Sequence, residues 1–91
     1  MSRIVFLGGE AEAAGFRLAG IEARPVRAGG EAAEFARALE DADVLLLGAR
    51  CAARLPPARL ADASAAAWPL LMVLDDSDGA EAVRRLLGDA S

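Results

Sequence analysis

The sequence predicts an α/β domain built on a small parallel sheet. Ile4 to Leu7, Val44 to Leu47 and Pro69 to Leu74 are continuous apolar runs, the pattern of strands buried on both faces. Between them lie stretches with apolar residues at helical spacing. Glycine or proline punctuates the junctions. A chain of 91 residues has room for one such domain, with a real but thin core.

The first strand, Ile4–Leu7, ends at Gly8-Gly9. Glu10–Ala19 then reads as a helix, with Glu10 and Glu12 in the first turn, where the helix dipole favours negative charge. Ala11, Ala14, Gly15 and Leu18 fall at i, i+3, i+4 and i+7 and form its expected core-facing stripe. Gly15 inside a helix costs about 1 kcal/mol against Ala, which close approach to a strand would offset. Gly20 supplies the helix stop. Ile21–Arg27 alternates and carries Pro25, which cannot donate to a ladder, so this strand belongs at a sheet edge. Ala28-Gly29-Gly30 is a turn.

Glu31–Ala42 has an apolar face of Ala32, Phe35, Ala36 and Leu39 and a wet face of Glu34, Arg37 and Asp41. Arg37 and Asp41 stand at i,i+4, a pair worth about 0.2–0.5 kcal/mol. Val44–Gly48 is the next strand, apolar throughout and therefore central. Pro56-Pro57 divides the alanine-rich segment after it into a short helical turn over Cys51–Leu55 and a helix over Pro57–Ala65, with Pro57 at the first helical position. Leu55 and Leu60 are its anchors to the sheet. Pro69–Leu74, with Trp68 at its mouth, reads as a further buried strand. Asp78 with Glu81 has capping-box spacing. Ala80, Val83, Leu86 and Leu87 then define a short C-terminal helix that stops at Gly88.

Strands alternating with helices over short connections imply right-handed crossovers and a parallel sheet. The order 2-1-3-4 puts the proline strand at an edge. Residues 1–91 thus read as a single, small flavodoxin-like (Rossmann-like) three-layer domain with a four-stranded parallel sheet.

Composition excludes several functions. The net charge is −4 and the pI is near 4.7, against the clustered basic face that nucleic acid requires. All basic residues are Arg; Lys, His and Tyr are absent. The usual general base near neutral pH is therefore missing, as is a Schiff-base or phosphate-binding lysine. A single Cys cannot form an internal disulfide, so a reducing cytosol is the simplest compartment. No apolar run is long enough to span a membrane, and the short N-terminal run reads as a strand rather than a signal peptide.

Ligands of such sheets sit at the carboxyl ends of the strands, here Gly8-Gly9-Glu10, Arg27-Ala28, Gly48-Ala49-Arg50 and Asp75-Asp76. Gly8-Gly9 could expose N–H groups to a phosphate, but GGEAEAAG matches neither phosphate-binding fingerprint, and Glu10 and Glu12 would repel the anion. A tight βα turn is the favoured reading. A phospho-accepting receiver domain needs an Asp after the third strand and a Lys; Gly48 stands at the one position and the other residue type is absent. Cys51 follows Arg50 and opens a helical turn, which suits a reactive thiolate, but no His can act as its base. A plain, partly buried Cys is favoured. Asp75, Asp76 and Asp78 could hold Mg²⁺ weakly, or form a solvated loop with one cap and a partner for Arg50; the loop is favoured. Arg50, Arg54 and Arg59 make a locally basic segment, read as solvated surface or as a docking face for an acidic partner. No catalytic, cofactor or metal residue is assigned.

The run IVFLGG…AGFRLAGIE resembles the start of the F subunit of V-type and A-type rotary ATPases, which pairs a first strand with a GFRLAGI-like segment. ADVLLLGARCAARLPPARL is similar to that family's third strand and the proline-interrupted helix after it, and WPLLMVLDDSDG to its fourth strand. Gly15–Ile21 is the specific part. Gly8-Gly9 departs from the family's usual Gly-Asp, and the short C-terminal helix from its longer tail.

The resemblance implies a non-catalytic rotor part of the central stalk, needing no cofactor. It would bind the coiled-coil D subunit and turn with it inside the catalytic A/B ring. ATP hydrolysis or synthesis is thereby coupled to proton or sodium ion transport through the membrane rotor. Such a subunit is cytoplasmic and peripheral to the membrane. Its expected partner contacts are Phe16 and Arg17, an aromatic–arginine pair of the composition enriched in binding hot spots, and Val83, Arg84 and Leu87 on the last helix. Phe16 could equally serve this domain's own core. A stand-alone flavodoxin-like regulatory domain that binds a small anion at the strand ends is the other open reading.

Overall fold

The computed structural model describes residues 2–74. The strands are β1 (Ile4–Gly8), β2 (Glu22–Pro25), β3 (Val44–Gly48) and β4 (Leu70–Leu74). The helices are α1 (Glu10–Leu18), α2 (Glu31–Asp41), α3 (Ala49–Ala53) and α4 (Pro57–Ala65). All strand pairings are parallel, and the order is β2-β1-β3-β4, the expected flavodoxin-like arrangement. Pro25 lies opposite Gly8 at the end of edge strand β2, where no further strand asks for its missing N–H. The strand is shorter than the alternation suggests: Ile21, Val26 and Arg27 fall outside the ladder.

The two faces of the sheet are filled differently. On one, Val5, Leu7, Leu45 and Leu47 are fully buried beneath α2, α3 and α4, which contribute Phe35, Ala38, Cys51, Ala52 and Ala63, with Ala42 just after α2 and Leu55 between α3 and α4. On the other, Phe6, Ala13, Phe16 and Ala23 form a smaller cluster under α1, with Ile21, Leu46 and Leu74 packed around it. Small alanines let the helices approach the sheet closely, so the core is thin but closed. Arg3 links the amino ends of the strands: its N–H donates to Asp43 Oδ2 at 2.6 Å and its Nε to Glu22 Oε1 at 2.9 Å.

Several sequence expectations are corrected. The buried residues of α1 are Ala13 and Phe16, whereas Ala11, Ala14 and Leu18 are exposed and Gly15 is half-buried. The largest apolar side chain sets the phase: complete burial of a Phe outweighs that of several alanines. On α2, Asp41 turns to Arg24 on the neighbouring β2 at 3.0 Å, and Arg37 pairs instead with Glu34 at 3.2 Å. Ala32 is exposed and Glu31 takes a buried position. The helical turn after β3 begins at Ala49, directly from Gly48. β4 is not buried on both faces: Leu70, Met72 and Val73 are exposed among the described residues. The Asp75–Asp78 loop, the Asp78–Glu81 capping box and the C-terminal helix, with Val83, Arg84 and Leu87, lie outside the described residues.

Candidate functional site

At the carboxyl ends of β1 and β3 a crevice of about 460 Å³ opens, lined by Gly8, Glu12, Val26, Glu31, Arg50 and Cys51 among others. It lies beside the central strands, where open α/β sheets hold their ligands. Gly9 caps α1 in extended conformation. Its N–H donates to Glu12 Oε1 at 3.3 Å, so the Glu12 carboxylate folds back over the first turn of its own helix. That oxygen also lies 3.3 Å from where a side-chain carbon on either Gly8 or Gly48 would stand. The glycines at the two strand ends thus leave room for a carboxylate between β1 and β3. Glu12 Oε2 is buried and has no hydrogen-bond partner among the described residues.

This arrangement decides what the crevice can bind. A helix N-terminus attracts an anion because its first N–H groups are unpaired and its dipole is positive there. In this chain the anion is already covalently present. A phosphate at the same place would meet Glu12, with Glu10 beside it, at close range and in a partly desolvated setting. The sequence shows two acids in the first turn; only the fold shows that one of them occupies the position.

Across the crevice Glu31 is only 7% exposed. Its Oε1 accepts the Gly29 N–H at 2.9 Å and its Oε2 faces Arg54 at 3.4 Å. Hydrogen bonding from its own backbone N–H, then from Gly29 and Arg54, holds its carboxyl below the usual glutamate range, against the opposing effect of burial. Charged residues read as wet by helical periodicity, so the alternation gave no sign of this buried acid. Its only cue is the place directly after the Gly29-Gly30 turn, where a first-turn carboxylate can reach back to a loop N–H.

Cys51 is buried on α3, and burial pushes its thiol up, reinforced by the negative charges of Glu31 and Glu12 and opposed by Arg54. The thiol is therefore held protonated, the reverse of what nucleophilic catalysis needs. Of the basic segment, Arg50 and Arg54 border the crevice, while Arg59 lies exposed on α4. Among the described residues no three His, Cys, Asp or Glu side chains are placed to hold a metal. No described helix is long and apolar enough to cross a membrane.

The expected partner contacts are separated by the fold. Phe16 is fully buried and stacked on Phe6, with ring centroids 4.2 Å apart and 22° between planes. It belongs to the domain's own core, and its assignment to a partner surface is corrected: the sheet supplies a ring against which it stacks. Arg17 is exposed, and its Nε donates to the Ala23 carbonyl at 3.2 Å, tying the end of α1 to β2. The Ile21 N–H donates to the Phe16 carbonyl at 3.0 Å across a turn in which Gly20 has φ +84°. Residues 15–21 are thus a braced corner between α1 and β2. On its outer side Leu18 is 77% exposed beside Arg17, a surface residue that the sequence pattern placed in the core. Val83, Arg84 and Leu87 are outside the described residues.

Compared with models of known protein families the chain matches none, and a comparison with curated proteins returns no similar sequence.

Proposed function

We propose that the chain is a non-catalytic central-stalk subunit of a V/A-type rotary ATPase. It docks on the coiled-coil D subunit and helps couple ATP hydrolysis or synthesis to proton or sodium ion transport. The observation that carries this reading is the Gly15–Ile21 corner. The run with the specific resemblance forms one continuous structural unit: a buried ring, an arginine brace and a glycine turn that hold α1 against β2. A rotor part transmits torque through a fixed docking geometry, and such a corner gives rigidity at low cost in ordered residues. The apolar-plus-cationic pair on its outer side is Leu18 with Arg17, a suitable contact for a coiled coil whose exposed positions carry acids.

The anion-binding alternative draws little support from the crevice, since Glu12 lies where the anion would be held. In the proposed complex the chain is cytoplasmic and peripheral to the membrane, and its catalytic partners are the A/B ring subunits.

The test is co-expression with the D subunit encoded in the same genome, followed by affinity measurement. A stable complex is expected. Arg17→Glu and Leu18→Glu should each weaken it by about tenfold or more, the loss of roughly 1.4 kcal/mol per contact, with unchanged circular dichroism. Failure of the wild-type chain to bind any such coiled coil refutes the reading. Full binding by both variants removes the α1 corner from the interface.

A further inference from the structure

The two edges of the sheet are unlike. β2 is a four-residue strand that carries Glu22, Arg24 and Pro25, with Glu22 and Arg24 held in ion pairs. Charge and a missing N–H are ordinary guards of an edge against another strand. β4 borders only β3 among the described strands and has no such guard: its five residues, Leu70–Leu74, are all apolar. Leu70 and Met72 are 54% and 53% exposed on the face they share with Phe6, and Val73 is 47% exposed on the other. Trp68 is exposed just before the strand.

Backbone geometry decides which groups this edge offers. The Leu70 N–H donates to the Asp43 carbonyl at 3.0 Å, so Leu70 turns its hydrogen-bonding groups toward β3. Successive residues of a strand turn those groups to opposite sides. Met72 and Leu74 therefore face β3 as well, in register with Leu46 and Gly48. The N–H and C=O of Leu71 and Val73 point outward, where no strand lies beside them among the described residues. Pro69, the preceding residue of that side, has no N–H to offer and ends the row.

We propose that β4 pairs edge to edge with β4 of a second copy of this chain, antiparallel about a two-fold axis at Met72. In that register Leu71 of each copy exchanges both backbone bonds with Val73 of the other, which uses every outward group of the two residues. Met72 meets its own counterpart across the axis as a non-hydrogen-bonded pair, with Cα atoms about 4.5 Å apart. Leu70 then lies opposite Leu74 on one face, and Leu71 opposite Val73 on the other, so exposed apolar groups are covered on both sides of the strand. The pairing is isologous: one edge satisfies its own copy. An uncharged strand carries nothing by which to select a different partner. Two five-residue edges with their flanking side chains bury on the order of 1,000 Å² over both copies, the low end of specific interfaces, which predicts a reversible dimer. β4 stands at the sheet edge opposite the one beside the α1 corner, and the dimer is read in the isolated chain. It therefore succeeds or fails independently of the coiled-coil reading.

The experiment is sedimentation velocity of the full chain from about 1 µM to 1 mM, the range in which small interfaces associate. The mean mass should rise from monomer toward dimer and stop there. Met72→Lys sets two like charges opposite each other at the axis and should raise the concentration of half-association by about tenfold or more, with unchanged circular dichroism because the position is exposed. A monomer at every concentration, the result if another part of the chain or a different partner takes the edge, overturns the proposal. So does a dimer that Met72→Lys leaves intact. Cross-linking tests the register, with Cys51→Ala as background. Met72→Cys should oxidise to a disulfide dimer about tenfold faster than Leu70→Cys, whose counterpart stands four residues along the ladder, about 14 Å away and beyond disulfide reach. Equal rates for the two variants overturn the pairing.

Discussion

Replacing Phe16 by Ala separates the two roles that its sequence position allows. The ring is fully buried, stacked on Phe6 at 4.2 Å and enclosed by Ala13 and Ala23. Its small neighbours cannot swing in to fill the space, so the substitution removes the apolar transfer energy and leaves a cavity. Phe→Ala changes of this kind cost about 3–5 kcal/mol. A chain of 91 residues is stabilised by about 5–14 kcal/mol at roughly 0.05–0.15 kcal/mol per residue, so the loss is a large share of the total. The melting temperature should fall by about 12 °C or more, at 4–8 °C per kcal/mol for a domain of this size. The assay is urea unfolding followed by far-ultraviolet circular dichroism, with Leu18→Ala as the control on the same helix. Leu18 is exposed, so its substitution should shift stability by no more than about 0.5 kcal/mol. If Phe16→Ala instead costs less than about 1 kcal/mol, or less than Leu18→Ala, the assigned phase of α1 is wrong and Phe16 belongs to a surface.

Gly20 and the acid groups give two further expectations. Gly20 has φ +84° with open space where a side chain would point, so Gly20→Ala should cost about 1–2 kcal/mol from backbone strain alone and Gly20→Asn clearly less; a stabilising Ala in thermal melts would contradict this. Hydrogen bonds from Arg3 and then Arg24 hold the Glu22 carboxyl below the usual glutamate range, as the bonds to Glu31 do for that residue. Both acids bind protons more readily in the unfolded chain. Their contribution is therefore complete above the ordinary glutamate value of about 4.3 and is lost as pH falls through the folded values. Urea midpoints should hold steady from neutral pH to about 5.5 and drop below about 4.5, and Glu22→Gln with Glu31→Gln should flatten that drop. An unchanged acid profile in the double variant would refute the assignment.

Much of the architecture is legible in the residues. The continuous apolar runs locate β1 and β3, because a parallel strand between helix layers has no wet face to interrupt the pattern; the run of β4 locates that strand too, although Leu70, Met72 and Val73 stand exposed on it. Pro25 marks the edge and Pro57 the start of α4, because a missing N–H restricts where each can sit. With right-handed crossovers these determine the order 2-1-3-4.

Tertiary structure alone decided the rest. Periodicity can say that α1 has a face, but its small alanines allow several phases of similar merit. Stacking against Phe6, a contact created by the sheet, selects the one that buries Phe16 and turns Leu18 outward. A charged residue's partners are likewise set across elements: Asp41 meets Arg24 on a strand rather than Arg37 one turn away, and Glu31 meets Gly29 and Arg54. The crevice follows the same rule. Two acids after a glycine pair are visible in the chain, but only the approach of β1 to β3 through Gly8 and Gly48 leaves space there for a carboxylate. Local sequence fixes what each element is; which of its sides is inside depends on volumes and charges that the other elements bring.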